Sequence, residues 1–420
     1  MNTGDTAWSL VCTGLVLLMT PGLAFFYGGL VRERNTINTM KMSFLALGII
    51  ALEWALVGYS MAFGPGGSLL GGLTWGGLGG VGETPHPTYG PTIPHLVFMA
   101  FQMMFAIITP ALISGAVVGR MRFKAYAAFI VLWGLLVYNP LARWVWSTEG
   151  WIAKLGAIDF AGGTVVHVSA GVSALVAALI LGPRRRSAVD SRPHNVPFVV
   201  LGASLLWFGW FGFNAGSALA ANGVAALALV TTMLSASAAV ATWIGTDMIR
   251  RRKPTAVGAS IAAVVGLVAV TPAAGFVTPL AAMLIGAIAT LVSYFAVEFI
   301  KGLGVDDTLD VFACHGLGGV TGAILTGVFA TTSVNPAGKD GLLAGNAGLL
   351  GAQVIGVLAA AVLAAAGTAT ILFVLKAVMA VRASPEAEEI GIDVTEHAET
   401  AYALDGGTRY AVTQPERTAA

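Results

Sequence analysis

Two of the six histidines, His167 and His315, lie inside long apolar segments, where ionisable side chains are costly to place. A neutral imidazole carries one hydrogen-bond donor and one acceptor. Two that meet could therefore bond to each other and offer polar edges to a small molecule or a proton. Each could instead be a separate core histidine bonded to a neighbouring helix. Because they occupy corresponding positions in the two halves of the chain, we favour a shared site along a pathway.

An aspartate precedes each histidine, with Asp159 eight residues before His167 and Asp310 five residues before His315. A carboxylate near the start of a helix accepts hydrogen bonds from the free backbone N–H groups and suits the helix dipole. For both aspartates we favour this capping role over direct contact with a substrate. Residues eight apart on a helix share a face, so Asp159 could also bias the electrostatic field at His167.

Glu53 lies in the middle of another apolar segment, between Leu52 and Trp54. A carboxyl group there is either protonated and bonded to a neighbour or paired with a cation. The sequence shows no partner for it, and we interpret it as a buried structural residue.

Aromatic residues crowd the ends of two apolar segments, and an interfacial belt explains most of them. A denser set stands close to the hydroxyl of Ser217, and it comprises Phe101, Phe105, Trp146, Trp210 and Phe213. Aromatic faces attract cations, with about 0.5–2 kcal/mol for each contact. An aromatic cup above a histidine-lined tunnel suits a small monovalent cation that must lose its proton.

The composition is that of a membrane protein. Hydrophobic residues make up 56% of the 420 residues and charged residues 10%, against about 45–50% and about 25% in soluble proteins. The mean hydropathy is +0.82. A net charge of +1 gives no reason to expect a nucleic-acid partner. Two histidines with aspartates at opposite ends make a poor metal site, and no motif for a cofactor or for catalysis is present. We therefore expect neither a metal, nor a cofactor, nor an enzyme.

The apolar segments predict an all-α integral membrane protein with eleven transmembrane helices, since each crossing needs about 20 apolar residues. We expect a 5+5 inverted repeat followed by a long eleventh helix, because inverted repeats are common in transporters. The expected spans are 7–31, 38–62, 94–118, 124–142, 162–181, 197–217, 223–248, 256–272, 280–301, 308–330 and 346–381.

Basic residues predict the orientation in the membrane. Connections after the odd-numbered spans carry fifteen Lys or Arg residues, while the opposite side carries only Arg143, Lys154 and Lys339. This asymmetry places the N-terminus outside and the C-terminus in the cytoplasm. We expect a transmembrane domain over 1–382 and a cytoplasmic tail over 383–420. The first span has no small-residue cleavage site, so we interpret it as a retained helix.

Several motifs together resemble those of the ammonium transporter (Amt/MEP/Rh) family, over about residues 5–405 and in its bacterial Amt-type form. The similar stretches are Asp159-Phe-Ala-Gly-Gly-Thr-Val-Val-His167, Asp310-Val-Phe-Ala-Cys-His315-Gly, Gly209-Trp210-Phe-Gly-Phe213-Asn-Ala-Gly-Ser217, Phe101-Gln-Met-Met-Phe105 and Phe26-Tyr-Gly-Gly-Leu. The resemblance implies eleven helices, a pseudo-twofold between spans 1–5 and 6–10, and a homotrimer in the cell's inner (plasma) membrane with one pore in each subunit.

The resemblance also implies a role for each site residue. Trp146, Ser217 and Phe105 would recruit ammonium, Phe105 and Phe213 would gate the pore, and His167 and His315 would line it. Supporting positions would be Asp159, Phe101, Trp210, Thr271 and Asp310. Methylammonium would serve as a substrate analogue.

The tail sequence Gly391-Ile-Asp-Val-Thr-Glu-His397-Ala-Glu-Thr-Ala-Tyr402 resembles the family's cytoplasmic regulatory motif. The resemblance implies contact with neighbouring subunits and blockade by a PII-type regulator at the cytoplasmic face. Ala398 stands where the family has glycine. If that position requires a positive φ, alanine strains it.

The resulting hypothesis is that NH4+ is recruited at the aromatic cup, loses a proton near the gate and passes the histidines as NH3, with or without a relayed proton. The low-dielectric pore makes carrying the charge costly. Three alternatives stay open: a cation-coupled carrier of another small amine, an ammonium sensor that signals through the tail, and an intramembrane enzyme.

Overall fold

The computed structural model describes residues 1–185 and 192–402. Arg186, one of the orientation-setting residues, and the end of the expected tail, 403–420, lie outside the described residues. Regular structure in the described ranges is helical, apart from isolated β-bridges such as Pro85 with Pro94. The helices are α1 (Thr3–Leu30), α2 (Thr36–Glu53), α3 (Tyr59–Phe63), α4 (His95–Val117), α5 (Phe123–Trp133), α6 (Asn139–Trp146), α7 (Trp151–Leu155), α8 (Ser169–Leu181), α9 (Val196–Gly216), α10 (Gly223–Ile249), α11 (Ala256–Val270), α12 (Pro279–Gly302), α13 (Gly318–Phe329), α14 (Ala347–Val378), α15 (Pro385–Ile390) and α16 (Ile392–His397).

In the described part of the chain, ten helical segments are long and apolar enough to cross a membrane. Several combine short helices into one, as in Glu33–Phe63, Phe123–Leu155 and Phe312–Phe329. The expected eighth span is the shorter apolar helix α11, of 15 residues. The expected end of the fourth span at residue 142 is too early, because helix continues through Arg143 to Trp146. The protein is therefore an all-helical, multi-pass membrane protein.

Four π-helical segments interrupt the spans that the structure describes: Trp54–Gly58, Gly134–Tyr138, Gly163–Val168 and Phe312–Leu317. Such segments widen the helix locally and often occur at functional sites. The last two carry His167 and His315, so both histidines project from π-helical turns. The first segment begins directly after Glu53, and the second ends directly before Asn139.

Glycines let the histidine-bearing spans cross closely, as is common between membrane helices. A Cβ added to Gly319 would lie 3.0 Å from the Cβ of His167 and 2.9 Å from the carbonyl oxygen of Gly163. A Cβ added to Gly171 would collide with the backbone of Gly316. No larger residue fits at either crossing point without displacing a neighbour.

The long connection between α3 and α4 is held by the buried guanidinium of Arg143. It donates hydrogen bonds to the carbonyl oxygens of Gly64, Gly66 and Gly67 at 2.8–3.3 Å. One cation thus satisfies three carbonyl groups in a glycine-rich segment that has few side chains to pack. We call the end of the molecule that carries Trp146 and this connection the aromatic end.

The described part of the tail packs against the opposite end, next to the start of α2. The Asp393 carboxylate accepts hydrogen bonds from the backbone N–H groups of Ile37 at 2.9 Å and Asn38 at 2.7 Å, which caps α2 from 355 residues away along the chain. Burial raises the pKa of the Asp393 carboxyl to about 6, although the two N–H donors act to lower it. Glu388 is buried in an ion pair with Arg382.

Candidate functional site

A column of aromatic rings runs inward from the aromatic end. The Trp146 and Phe105 ring centroids are 5.8 Å apart, edge to face, and Phe105 stacks on Phe213 at 4.2 Å. Phe213 lies 6.1 Å from His167, which stacks on His315 at 5.3 Å. The rings below Trp146 are buried. The structure thus brings together five residues that the sequence selected for recruitment, gate and pore.

Two polar groups at the top of the column are oriented by backbone carbonyls. The Trp146 indole N–H donates to the carbonyl oxygen of Asp159 at 3.0 Å, which fixes the ring over Phe105. The Ser217 hydroxyl donates to the carbonyl oxygen of Phe213 at 2.8 Å. Because its hydrogen is used in this way, the Ser217 oxygen is left to accept a hydrogen bond from another donor.

The two histidines meet through like atoms. The Nδ1 atoms of His167 and His315 are 3.2 Å apart, and the side chains are buried, with 1% and 4% of their surface exposed. One Nδ1 atom must carry a hydrogen and the other must accept it, so the two neutral rings are different tautomers. The Nε2 atom of His167 is buried and has no partner among the described residues. It is free to bond to a small molecule beside the ring.

Asp159 caps the π-helical segment that carries His167. Its carboxylate accepts four backbone N–H groups, from Gly162, Gly163, Thr164 and Val165, at 2.7–3.1 Å. Each carboxylate oxygen of Asp159 thus accepts two hydrogen bonds from the backbone. Among the hydrogen bonds of the described residues, none joins this carboxylate to His167, and the bond from Asp159 to Trp146 is made by its carbonyl oxygen.

The expected capping role of Asp310 is wrong. Its carboxylate instead forms an ion pair with Lys301 at 2.9 Å. The cap of the second histidine-bearing segment comes from Asp307, whose carboxylate accepts the Phe312 N–H at 2.6 Å. Asp310 has a positive φ of 58°. A chain that turns sharply at Asp310 brings the earlier aspartate to the helix start, and spacing alone could not reveal this.

The supporting residues Trp210 and Thr271 also contact the column. Trp210 stacks on His167 at 5.4 Å, and its indole N–H donates to the Thr271 hydroxyl at 2.9 Å. Phe101 lies 5.0 Å from Phe105, edge to face. Rings from α4 and α9 therefore lie around both the Phe105–Phe213 stack and His167.

A narrow cavity lies beside the histidines, with about 10 Å³ open to the centre of a water-sized molecule. This is room for about one such molecule. The wall is apolar apart from the imidazoles and the Trp210 indole. Sequence reasoning did not assign the other lining residues to the pathway. Apart from Phe26 and Val166, which lie in the motifs quoted above, nothing distinguishes them from ordinary core positions: Met19, Leu23, Phe26, Ile108, Leu112, Val166, Leu206 and Val264.

Glu53, for which the sequence showed no partner, accepts a hydrogen bond from the Asn139 amide at 2.7 Å. This pair lies between the second and fourth spans and does not line the cavity. Gln353 of α14 was also missed. It bonds to the backbone of Ile158 through both its amide oxygen and its amide nitrogen, at 2.8 and 2.9 Å, and so positions the segment that leads into Asp159.

Comparison with known proteins identifies the family. Residues 7–402 match the model of the Ammonium Transporter Family. The chain is 50% identical over 403 residues to an ammonium transporter of Bacillus subtilis (strain 168), with 96% of this chain and 99% of that protein covered. It is 48% identical over 412 residues to one of Aquifex aeolicus (strain VF5), with 96% and 94% covered.

A solved structure shows the same fold. The crystal structure of Saccharomyces cerevisiae Mep2 superposes with a TM-score of 0.86 and 35% sequence identity, covering 92% of this chain and 88% of that one. These relatives are named as transporters and not as enzymes. The chain belongs to the ammonium transporter family and is a multi-pass membrane protein.

Proposed function

We propose that this protein transports ammonium across a membrane by binding NH4+ at the aromatic end, removing a proton at the Phe105–Phe213 gate and passing NH3 along His167 and His315. One observation carries the proposal. A stacked phenyl pair at 4.2 Å lies directly above a hydrogen-bonded histidine pair at 3.2 Å, inside one buried column.

Recruitment follows from the chemistry of the cup. NH4+ carries four N–H donors and one positive charge, so it binds aromatic faces and free oxygen acceptors together. The Trp146 and Phe105 rings supply the faces. The Ser217 oxygen supplies an acceptor, since the serine hydrogen is held by Phe213. These contacts replace part of the water that the ion must give up.

The gate makes the charged form costly. Phe105 and Phe213 are 1% and 0% exposed, and a bare ion between them has no polar partner. Neutral NH3 crosses at far lower cost. Asp159 supports this region by fixing the Trp146 indole through its carbonyl oxygen and the start of the histidine-bearing segment through its carboxylate.

The histidine pair accepts the neutral molecule. NH3 can donate to one ring nitrogen or accept from another, and the cavity beside the rings holds about one molecule of this size. A proton can also pass between the two Nδ1 atoms by exchange of tautomers. K+ has no proton to lose and gains nothing from this chemistry, which supplies the selectivity.

The wider arrangement is part of the proposal. Eleven helices in a 5+5 repeat are supported by the shared placement of the histidines in π-helical segments of the fifth and tenth spans. The family resemblance supports a homotrimer in the plasma membrane and a PII-type regulator at the tail. The basic residues in the connections on the side of the tail support an N-terminus outside. The described part of the tail, 383–402, gives such a regulator a surface that includes the two short helices α15 and α16.

Purified protein in liposomes tests the proposal. Ammonium-triggered currents on a solid-supported membrane, absent from empty liposomes and absent with K+, are expected if the proton follows along the histidines. A protein-dependent rise of internal pH without current indicates net NH3 passage. Neither signal, in protein that is folded and trimeric, refutes transport and favours a sensor. Methylammonium serves as the second substrate.

Two variants locate the pathway. His167→Ala removes one ring of the pair, and we expect it to lose proton coupling or the exclusion of K+. His86→Ala makes the same change in the connection between α3 and α4, away from the column, and should behave as wild type. Wild-type transport and K+ exclusion in His167→Ala would show that the histidine pair is not the pathway.

A further inference from the structure

Glu53 is a buried carboxyl group with one hydrogen-bond donor. It lies inside the Glu33–Phe63 span with 8% of its surface exposed. Its Oε1 atom accepts a hydrogen bond from Asn139 Nδ2 at 2.7 Å. Its Oε2 atom is buried and has no partner in the described part of the chain. An ionised carboxylate in apolar surroundings is costly unless it is paired with a cation, and no described residue forms an ion pair with Glu53.

Asn139, the partner of Glu53, also has an oxygen atom without a hydrogen-bond partner among the described residues. Its side chain is fully buried, and its Oδ1 atom also has no partner among the described residues. Two side chains already joined by one hydrogen bond thus each retain an unpartnered oxygen. Both atoms are acceptors, and leaving a buried acceptor without a partner costs free energy at each.

We propose that Glu53 and Asn139 form a proton-binding site, separate from the pore, in which Glu53 is a neutral carboxylic acid. Its Oε2–H then donates to Asn139 Oδ1, while Asn139 Nδ2–H donates to Glu53 Oε1. The reaction is only the binding of one proton from water to the carboxylate. A single proton therefore removes the charge and provides a partner for both orphan oxygens.

The packing favours a proton over a larger cation. A Cβ added to Gly58 would lie 2.9 Å from Glu53 Oε2 and 3.1 Å from Asn139 Nδ2, so the backbone of the second span closes directly on the pair. The π-helical segments Trp54–Gly58 and Gly134–Tyr138 adjoin Glu53 and Asn139 and bring them together. A proton needs no additional space.

The titratable groups on the surrounding elements are occupied elsewhere or neutral. The Arg143 guanidinium bonds to three carbonyl groups. The hydroxyl of Tyr59 bonds to His95 at 2.5 Å, and those of Tyr27 and Tyr126 bond to the carbonyl oxygens of Leu112 and Pro110. Tyr138, beside Asn139, is buried and carries no positive charge. None of them supplies a positive charge to the Glu53 carboxyl.

The site joins the second and fourth spans rather than lining the pathway. Loss of its proton would leave a charge held by one amide, and repulsion between Glu53 Oε2 and Asn139 Oδ1 would loosen the contact between the two spans. We therefore expect this part of the protein to be stable only while Glu53 keeps its proton.

Glu53→Gln tests the site, because a glutamine amide reproduces both hydrogen bonds of the neutral acid without titrating. Infrared difference spectra of the full chain in liposomes, wild type minus E53Q, are recorded at neutral pH. The expected signal is the carbonyl stretch of one protonated carboxylic acid. Its absence, or a carboxylate band instead, would overturn the proposal.

Thermal unfolding supplies a second measurement across neutral to alkaline pH, from about 6 to about 10. The unfolding temperature of wild type should fall with rising pH by more than that of E53Q, because glutamine has no proton to lose in this range. Identical curves contradict the site. Stabilisation of wild type, but not of E53Q, by Na+ or by ammonium would mean that the carboxylate holds a cation and would also overturn the proposal.

A comparison of wild type with a second variant keeps the idea testable if E53Q does not fold. The acid carbonyl band of wild type should shift in Asn139→Leu, because this variant removes the acceptor of the Glu53 proton. An unshifted band would assign the acid to another residue and refute the site.

Discussion

The Nδ1 atoms of His167 and His315 lie 3.2 Å apart, although the two residues are 148 positions apart in the chain. Each ring projects from a π-helical segment, and glycines at the crossing allow the two spans to approach. Since a single hydrogen lies between these nitrogens, the two rings act as one unit.

The unit predicts non-additive effects of substitution. We expect His167→Ala and His315→Ala each to reduce ammonium-driven current, and the double variant to lose little more than either single one. Residues that share a hydrogen bond show coupling of about 0.5–3 kcal/mol. A double-mutant cycle on currents and on thermal unfolding measures it. Strict additivity of the two losses would show that the rings act independently.

The Phe105–Phe213 stack predicts a steric and dielectric barrier to ions. Phe213→Leu keeps an apolar side chain but removes the stacked ring, with a loss of about 0.5–1.5 kcal/mol in stability. We expect K+ to begin to pass while ammonium transport persists. Phe208→Leu on the same helix is the control, because Phe208 is 55% exposed. Unchanged K+ exclusion in Phe213→Leu would remove this pair from the gate.

The Asp159 carboxylate predicts a mainly structural effect of its replacement. Asp159→Asn keeps the shape but leaves some of the four N–H donors unsatisfied, so stability should fall by about 2–3 kcal/mol. Thermal unfolding in detergent measures this, with Glu83→Gln in the connection between α3 and α4 as a neutral control. A variant as stable as wild type that lacks transport would instead assign Asp159 a direct part in deprotonation.

Ala398 predicts a gain in stability on replacement by glycine. Its φ of 54° and ψ of 34° lie in the left-handed region, at the C-terminal end of α16. A residue with a Cβ pays about 1–2 kcal/mol there, which glycine avoids. Ala398→Gly should slow hydrogen exchange and proteolysis of the tail. Ala401→Gly, at a position without positive φ, should not, and equal effects of both would argue against strain at Ala398.

Asp393 predicts that tail docking weakens as pH rises through mildly acidic values. Burial raises its pKa to about 6 in the folded tail, above the usual value of about 3.9. The docked form therefore binds the proton more tightly than the undocked form. The free energy that favours docking falls between about pH 4 and about pH 6, and this group causes no further change at higher pH.

Limited proteolysis of the tail across this range checks the sign. Asp393→Asn cannot titrate and should flatten the profile, whereas Glu386→Gln, on an exposed face of α15, should leave it intact. Docking that strengthens as pH rises through the same range would contradict the prediction.

The sequence alone determined the class of the protein and most of the residues of the column. Long apolar segments require helices, because a bilayer offers no partners for free backbone groups. Histidines within such segments are costly enough to indicate a shared site, and His167 and His315 do meet. Several motifs together, the one around Asp159 among them, indicated the family.

Tertiary structure decided the partners of the buried charges. Asp307 rather than Asp310 caps the helix start because the chain turns at Asp310 with a positive φ. The hydrogen bond between Glu53 and Asn139 joins two residues that are 86 positions apart in the chain. The apolar lining of the cavity was equally hidden, since Leu112 or Val264 resembles any core residue in sequence. Spacing along a helix fixes which residues share a face, but only packing determines what that face meets.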